Sequence, residues 1–584
     1  MRRGAGLVLA LVLFACLVSI GGLIVLWMIA GAAPAIPSRS TLVLRIDGSP
    51  AEGGPDDGIS QYLPGRRAHS IRMLVDNVRK AKVDRRVAAL VVRPIGLDSP
   101  YTAKIQELRD AILDFRRSGK RAVAFLEEGE QADYYLATAC DRIYLLPSAP
   151  LQLVGSASYE LFLRGTLDKI GAYPDLMHIG AYKTASNQLT ETTFTPAHRE
   201  MAQSLTDESY EQLVKAIADA RRKSEAEVRT LLDEGPFLPG DALGVGLIDD
   251  LAYEDQLGEK AKIPYGRETS IDLDDYDRVT PSSLGLGRGP RVAVIYASGT
   301  IVTGGSGYDP LNGSVLGSDT LIEYIRRVRE ARDLAGVILR IDSPGGSASA
   351  SDAIWRELVL MRDARPGRPF VVSMSDLAAS GGYYLAMAAP QIVAEPGTLT
   401  GSIGIFGGKF VTGGTYAKLG IHIEGVSRGA HAEMNSPARP YTDAERAKMG
   451  EQLQAFYDQF VERVAASRHM TPERVDQIAQ GRVWTGRQGR QNGLVDSIGG
   501  LDRAIALVRQ KAKLPGTEVE LVVYPPKKSF YEIVSSQLGV SSGRSRGVDL
   551  LGMPERRAVL RLAAPWTLFR KGEALAMMPF ELIQ

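Results

Sequence analysis

The sequence predicts an α/β protein built from two tandem copies of one domain behind an N-terminal apolar segment. Three observations carry this expectation. Short Val/Ile/Leu runs alternate with amphipathic stretches, the pattern of buried strands joined by helices. The second half of the chain echoes the first in a nearly constant register, and residues 4–38 hold no charged side chain. A length of 584 residues agrees, since a domain usually takes about 100 to 200.

Taking the segments in order, residues 7–30 are almost unbroken in apolar character, long enough to cross about 30 Å of hydrocarbon. Arg2 and Arg3 precede them, so the positive-inside rule puts the N-terminus in the cytoplasm and the chain beyond Arg39 across the membrane. A cleaved signal peptide with Ala33 and Ala35 at its cleavage site is the alternative, but its apolar region would be only about 7 to 15 residues long. Leu13-Phe14-Ala15-Cys16 loosely resembles a lipoprotein site. The apolar run continues past it, so Cys16 reads as a membrane-buried thiol. Cys16 and Cys140 are the two cysteines, which excludes a disulfide framework and a Cys-cluster zinc site. With 69 basic and 68 acidic residues, net charge +1 and 45% hydrophobic residues, bulk charge excludes nucleic acid as a partner and composition excludes disorder.

The repeat begins after the anchor. Leu42 to Gly48 resembles Val292 to Gly299, each an apolar run ending at glycine. Leu90-Val91-Val92-Arg93 returns as Val337-Ile338-Leu339-Arg340, an offset of 340 − 93 = 247. Tyr134-Tyr135-Leu136-Ala137 returns as Tyr383-Tyr384-Leu385-Ala386 at 383 − 134 = 249. Leu167 to Gly171 matches Tyr416 to Gly420, Thr195 and Thr442 each open a long amphipathic stretch, and Gly246-Leu247-Ile248-Asp249 matches Gly493-Leu494-Val495-Asp496. Chance rarely preserves such a register. The predicted organisation is an anchor over 1–38, a first copy over 39–275, a Ser/Gly/Pro-rich joint over 276–290, a second copy over 291–517 and a C-terminal extension over 518–584. The extension has no counterpart in the first copy. Its apolar end, with Trp566, Phe569 and Phe580, is expected to pack on the body or on another subunit.

Function should lie where the copies diverge. Ala378-Ala379-Ser380-Gly381-Gly382-Tyr383 comes after a strand in the second copy. Small residues there let a serine hydroxyl project at a helix start beside free N–H groups. The tyrosine register puts Gln131 at the position of Ser380. Carried forward, it sets Gly180-Ala181-Tyr182-Lys183 against Gly429-Ala430-His431-Ala432. One copy keeps a lysine and lacks the serine, and the other does the reverse. This complementary loss predicts one composite site. A serine needs a base to take its proton, and a lysine serves if burial leaves it neutral. The turn Ser343-Pro344-Gly345-Gly346-Ser347, in the serine's own copy, offers backbone N–H groups to a developing oxyanion.

These motifs, with the anchor and the tandem copies, resemble the signal peptide peptidase A family in its long, duplicated bacterial form. The resemblance implies Clp/crotonase-like domains and a Ser/Lys serine endopeptidase that degrades remnant signal peptides. It further implies hydrophobic peptide substrates, a homo-oligomer, specifically a tetramer, and a bacterial inner-membrane location with the catalytic domains on the periplasmic side. By the family motif Ser380 is the nucleophile and Lys183 the general base. Ser402, in Thr400-Gly401-Ser402-Ile403-Gly404, is expected to hydrogen-bond the lysine, and Gly345, Gly346 and Gly381 are candidates for the oxyanion hole. No cofactor and no metal are implied.

Rival readings have their own tests. His431 stands one residue before the aligned lysine position, in the serine's copy, and would give a Ser/His protease. Adjacent positions of a strand face opposite sides, which counts against it. The other histidines lack H-x-x-x-H spacing. Two G-x-S-x-G patterns, centred on Ser541 and Ser545, lie in a Ser/Gly-rich stretch without the strand-turn-helix setting of a hydrolase elbow, and no S-x-x-K motif occurs. Tyr134 and Tyr383, kept in both copies, read as core. A crotonase-like acyl-CoA enzyme would need neither Ser380 nor an anchor, and a membrane-tethered peptide-binding scaffold is the non-catalytic alternative.

Overall fold

Apolar runs too hydrophobic to face water on either side form the centres of two parallel sheets. The computed structural model describes residues 36–53, 69–309, 313–514, 518–526, 568–569, 572–578 and 582–583, with positions 21 and 516. Apart from position 21, the apolar segment 7–30 with Cys16 lies outside this set, as do Trp566, Phe580 and both G-x-S-x-G patterns. Among the described residues no helix is long and apolar enough to cross a membrane.

The first sheet runs in the order Asp250–Leu251, Arg142–Leu145, Arg121–Leu126, Val87–Ile95, Ser40–Asp47, Ser270–Asp272, all parallel. The second has Val483–Thr485, Leu399–Gly401, Phe370–Ala379, Leu334–Ser343, Arg291–Ser298 and Glu520–Tyr524, parallel except at its first pair. Each sheet is covered by helices that bury one apolar face into a core of its own, with Leu42, Leu90 and Phe115 in the first and Ile295, Leu339 and Phe460 in the second.

The duplication is visible bond by bond. Tyr134 donates its hydroxyl to the Leu247 carbonyl at 2.7 Å, and Tyr383 does the same to Leu494 at 3.0 Å. Both rings are fully buried. The long helices Pro196–Arg221 and Asp443–Arg468 have 26 residues each. Thr195 and Thr442 cap them by accepting the N–H of the third helical residue, which satisfies one otherwise orphaned donor. Both end on a left-handed residue, Arg222 and His469.

Two boundaries differ from those that composition suggests. Tyr276 and Val279 are buried in the first core, so that body continues past 275 into the Ser/Gly/Pro-rich stretch. The second sheet likewise continues past 517, because Glu520–Tyr524 adds parallel to Arg291–Ser298.

A third sheet unites the copies. Its order is Gly307–Asp309, Gly313–Gly317, Thr300–Val302, Gly345–Ser347, Leu575–Met577, Ile405–Val411, Tyr173–Ile179. The last strand belongs to the first copy and pairs antiparallel with Ile405–Val411 of the second over seven residues, Ile179 opposite Ile405. Buried charges also join the copies: Arg340 of the second reaches Glu52 and, at 2.6 Å, Glu107 of the first.

Candidate active site

The pairing of Tyr173–Ile179 with Ile405–Val411 sets where the chain goes on leaving the first strand and where it comes from on entering the second. Lys183 lies four residues after Ile179 and Ser402 three before Ile405, so the register delivers both to one point. There Lys183 Nζ lies 2.8 Å from Ser380 Oγ, 3.0 Å from Ser402 Oγ and 3.2 Å from the Ser402 carbonyl. All three residues are 0% exposed. The composite arrangement expected from the complementary losses is therefore present within a single chain.

Ser380 stands at the end of Phe370–Ala379 and just before the helix Gly381–Ala386, with φ +54°. Positive φ is uncommon for a residue with a Cβ. Two main-chain bonds hold it: its N–H donates to Gly401 at 2.8 Å, and its carbonyl accepts from Tyr384 at 2.8 Å. The two glycines behind it are needed for close approach. A Cβ on Gly381 would meet Ser351 Oγ at 2.6 Å, and one on Gly382 would meet the Ser343 carbonyl at 2.7 Å.

Burial sets the electrostatics of the lysine. Desolvation pushes the Lys183 ammonium well below its ordinary range, because burial penalises the charged form. The neutral amine that a base requires is thus favoured by the site itself.

The segment Gln480–Gly481 holds the lysine, and sequence reasoning missed it. The Tyr182 N–H donates to the Gln480 carbonyl at 2.8 Å, and the Gly481 N–H donates to the Ile403 carbonyl at 2.8 Å. A Cβ on Gly481 would lie 2.5 Å from the Lys183 main chain. A glycine just past a short helix was the available signal, but its partner is nearly 300 positions away. Arg482 then closes the outer side, stacked over Tyr182 and Trp484 and paired with Glu200 at 2.7 Å.

The candidate oxyanion glycines occupy the turn beside Ser380. Gly345 and Gly346 belong to the short strand Gly345–Ser347, between Thr300–Val302 and Leu575–Met577, at φ +102° and +154°. Ser343 Oγ accepts the Gly345 N–H at 3.2 Å. A Cβ on Gly345 would come within 2.8 Å of the Gly381 nitrogen, so the turn and the helix start touch.

His431 is not part of this cluster. It lies exposed in a turn whose main chain bonds Met434, whereas Ser380 is sealed from water. The segment 429–432 is a turn and not a strand, so the alternating-face argument against His431 does not apply, and what sets it apart from Ser380 is its exposure. In the first copy, Gln131 at the serine's position binds the 154–155 loop, accepting from Gly155 N at 3.0 Å and donating to its carbonyl at 2.9 Å. Among the described residues no His/Cys/Asp/Glu group could hold a metal ion.

The model of Peptidase family S49 matches residues 114–266 and 362–515, once in each copy. Serine protease SPPA, chloroplastic, of Arabidopsis thaliana is 37% identical over 479 residues, 80% of this chain and 69% of that protein. Protease 4 of Salmonella typhi is 33% identical over 460 residues, 76% of this chain and 72% of that one. The putative signal peptide peptidase SppA of Enterococcus faecium is 32% identical over 218 residues, 37% of this chain and 62% of its own. Among solved structures, a 1510-N membrane-bound stomatin-specific protease mutant with a substrate peptide covers 42% of this chain and 96% of its own at 14% identity. Its TM-score is 0.26, a likeness too slight to bear on the fold.

A serine peptidase with a duplicated α/β architecture is the class that these matches and the fold define. The chain belongs to peptidase family S49, with one family segment in each copy. The scaffold and acyl-CoA readings give way to it.

Proposed function

We propose that this chain is a membrane-anchored endopeptidase that degrades remnant signal peptides, with Ser380 as nucleophile and Lys183 as general base. The carrying observation is the 2.8 Å approach of Lys183 Nζ to Ser380 Oγ with both groups buried. In this mechanism the neutral amine takes the Ser380 proton as Oγ attacks the peptide carbonyl. N–H groups of the Gly346 and Gly381 region receive the oxyanion. The lysine returns the proton to the leaving amine, and water then releases the acyl group by the same route. Ser402 orients the amine through its hydroxyl and carbonyl.

The apolar segment 7–30 supports anchoring in a bacterial inner membrane with the catalytic copies on the periplasmic side. The name of the Enterococcus relative supports signal peptides as substrates, and a Clp/crotonase-like description of each copy rests on the same resemblance. Pseudo-symmetry supports a homo-oligomer, for which the resemblance implies a tetramer. In the 249 register the second copy's counterpart of Tyr173–Ile179 is residues 422–428. They form no strand and expose Ile423 and Val426. The first copy's counterpart of Ile405–Val411 is residues 156–162, with Tyr159 and Leu161 exposed. Joining these two segments between chains would repeat head to tail the contact already made within one chain.

A peptidase assay on a hydrophobic signal peptide tests the catalytic assignment, using the full chain and the variants Ser380→Ala, Lys183→Ala and His431→Ala. The first two are expected to be inactive and the third active. Full activity in Ser380→Ala would sink the assignment, and loss in His431→Ala but not in Lys183→Ala would move the base role.

A further inference from the structure

The strands of a parallel sheet all start on one edge, and in the first sheet that edge is basic. Arg39 precedes Ser40–Asp47, Arg85 and Arg86 precede Val87–Ile95, Arg117 precedes Arg121–Leu126, and Arg142 opens Arg142–Leu145. Over residues 39, 82–86, 114–121 and 141–142 there are nine basic side chains against three acidic ones. Each of these acids is already held by a cation: Asp84 by Arg86 at 2.8 Å, Asp114 by Lys82 at 2.7 Å and Asp141 by Arg116 at 2.6 Å. Six positive charges remain in excess. Ser40 N–H donates to the Arg86 carbonyl at 2.8 Å, Lys120 Nζ to the Ala81 carbonyl at 2.7 Å, and the Arg121 guanidinium to the Ala261 carbonyl at 2.7 Å. The loops therefore form one continuous surface. The adjoining loop after Ala261 adds Lys262 and Arg267 against Glu268, all exposed.

The opposite edge has the reverse charge. Residues 47–53, 96–102, 127–133 and 146–155 lie where the same four strands end, and they carry seven acidic residues and no basic one. The net charge of +1 thus conceals a first copy sorted into two poles. A field of one sign spread over an edge favours an extended partner of the opposite sign.

The basic pole is also where the chain arrives from the apolar segment 7–30. Ser40 comes ten residues after Ala30, a reach of at most about 36 Å when fully extended. Val83, 46% exposed beside Arg85, adds an apolar contact at the same level.

We propose that this basic edge docks on the headgroups of an anionic lipid bilayer. This rests on the reading of segment 7–30 as an anchor. The anchor limits the distance of the first copy from the bilayer, and the edge sets its orientation. Each cation held near an anionic surface adds roughly a fivefold preference for contact. The acidic pole is repelled by the same headgroups, so the strands of the first sheet run away from the membrane.

The test is energy transfer from a fluorophore on the protein to a headgroup-labelled lipid, measured on the full chain reconstituted in vesicles. Donors are placed at Ser118→Cys on the basic edge and at Asp98→Cys on the acidic one, each with Cys16→Ala, which leaves the buried Cys140 as the other thiol. In vesicles containing phosphatidylglycerol, transfer from position 118 is expected to exceed that from position 98 at least about twofold. The difference should shrink in pure phosphatidylcholine and at 1 M salt, where the screening length is about 3 Å. Arg85→Glu with Arg117→Glu should abolish it, and the milder Arg85→Gln with Arg117→Gln should reduce it. Lys215→Glu with Lys448→Glu, an equal change of net charge at exposed sites on the two long helices, should leave it intact. Transfer from position 118 that ignores lipid charge, salt and the arginine substitutions overturns the docking edge while the anchor stands. Loss of the chain from carbonate-washed vesicles removes the anchor, and the docked orientation with it.

Discussion

Asp133 closes the cradle of the first copy: its Oδ2 accepts the Gly96 N–H at 3.0 Å, while Oδ1 accepts that of Leu97 at 2.9 Å. In the 249 register Asp133 corresponds to Gly382, and in the 247 register of Arg93 and Arg340 Gly96 falls opposite Ser343. The first copy thus carries an acidic side chain on the N–H groups of the turn after Val87–Ile95, at a position where the second copy has glycine. The first copy has Gln131 where the second has Ser380 and Asp133 where the second has Gly382, so the two turns differ in chemistry as well as in composition.

Burial raises the Asp133 carboxyl to about 6, against the two N–H groups that hold it down. A folded-state value above the unfolded one means that the folded chain binds the extra proton between the two. Stability from this group is complete below the unfolded value of 3.8 and is lost as pH rises through about 6. Denaturant unfolding across this range is expected to show a loss in the wild type that Asp133→Asn lacks. Parallel curves for the two proteins would refute it.

The lowered pKa of Lys183 predicts that kcat/KM rises with pH as the amine deprotonates, with a midpoint well below 10.5. A pH–rate profile flat down to about pH 5 would count against it. The unfolded chain holds the lysine proton up to its ordinary value, so this group's contribution to stability increases with pH between the folded and unfolded values. Lys183→Arg keeps a cation at every accessible pH. It should lose at least about 10³-fold in kcat, measured at saturating peptide.

Gly481→Ala tests the clamp on the lysine. The added Cβ would sit 2.5 Å from Lys183 backbone atoms at a residue with φ +77°, so the lysine must move. A displacement of about 1 Å costs on the order of 10²-fold in rate. The expected result is a fall of that size in kcat, with circular dichroism unchanged. Wild-type turnover would show that Gln480–Gly481 does not position the base.

Arg340→Met tests the charged junction between the copies. It leaves Glu52 and Glu107 buried without their guanidinium, and Glu52 is already raised to about 7 by burial. Breaking one partner of a buried pair costs about 3–5 kcal/mol. Urea unfolding should report a loss of that order. A change below about 1 kcal/mol would mean that the carboxyls simply take up protons.

Much of the site was legible because the chain contains its own comparison. Aligning the copies by Tyr134 and Tyr383 singles out Gln131 against Ser380 and Lys183 against Ala432, and the structure places Lys183, Ser380 and Ser402 together. The Gln480–Gly481 clamp was not legible, since its glycine answers to a main chain almost 300 residues away. Nor was the placement of Leu575–Met577, because one short apolar strand is compatible with any open sheet edge. The exposed position of His431 also needed the fold. His431 is exposed where Ser380 is buried, and neighbouring residues do not encode burial.

Local pattern by itself determined the two α/β copies, the helix starts at Thr195 and Thr442, and the identity of the serine and lysine. Strand runs, caps and a repeat register are written in residues close together or directly comparable. Tertiary structure alone decided that Tyr173–Ile179 crosses to Ile405–Val411 in the register that brings Lys183 within 2.8 Å of Ser380. It also decided that Leu575–Met577 lies between Gly345–Ser347 and Ile405–Val411. Shifting either pairing by one residue would turn every side chain to the opposite face. That choice is made by packing between segments more than 150 positions apart.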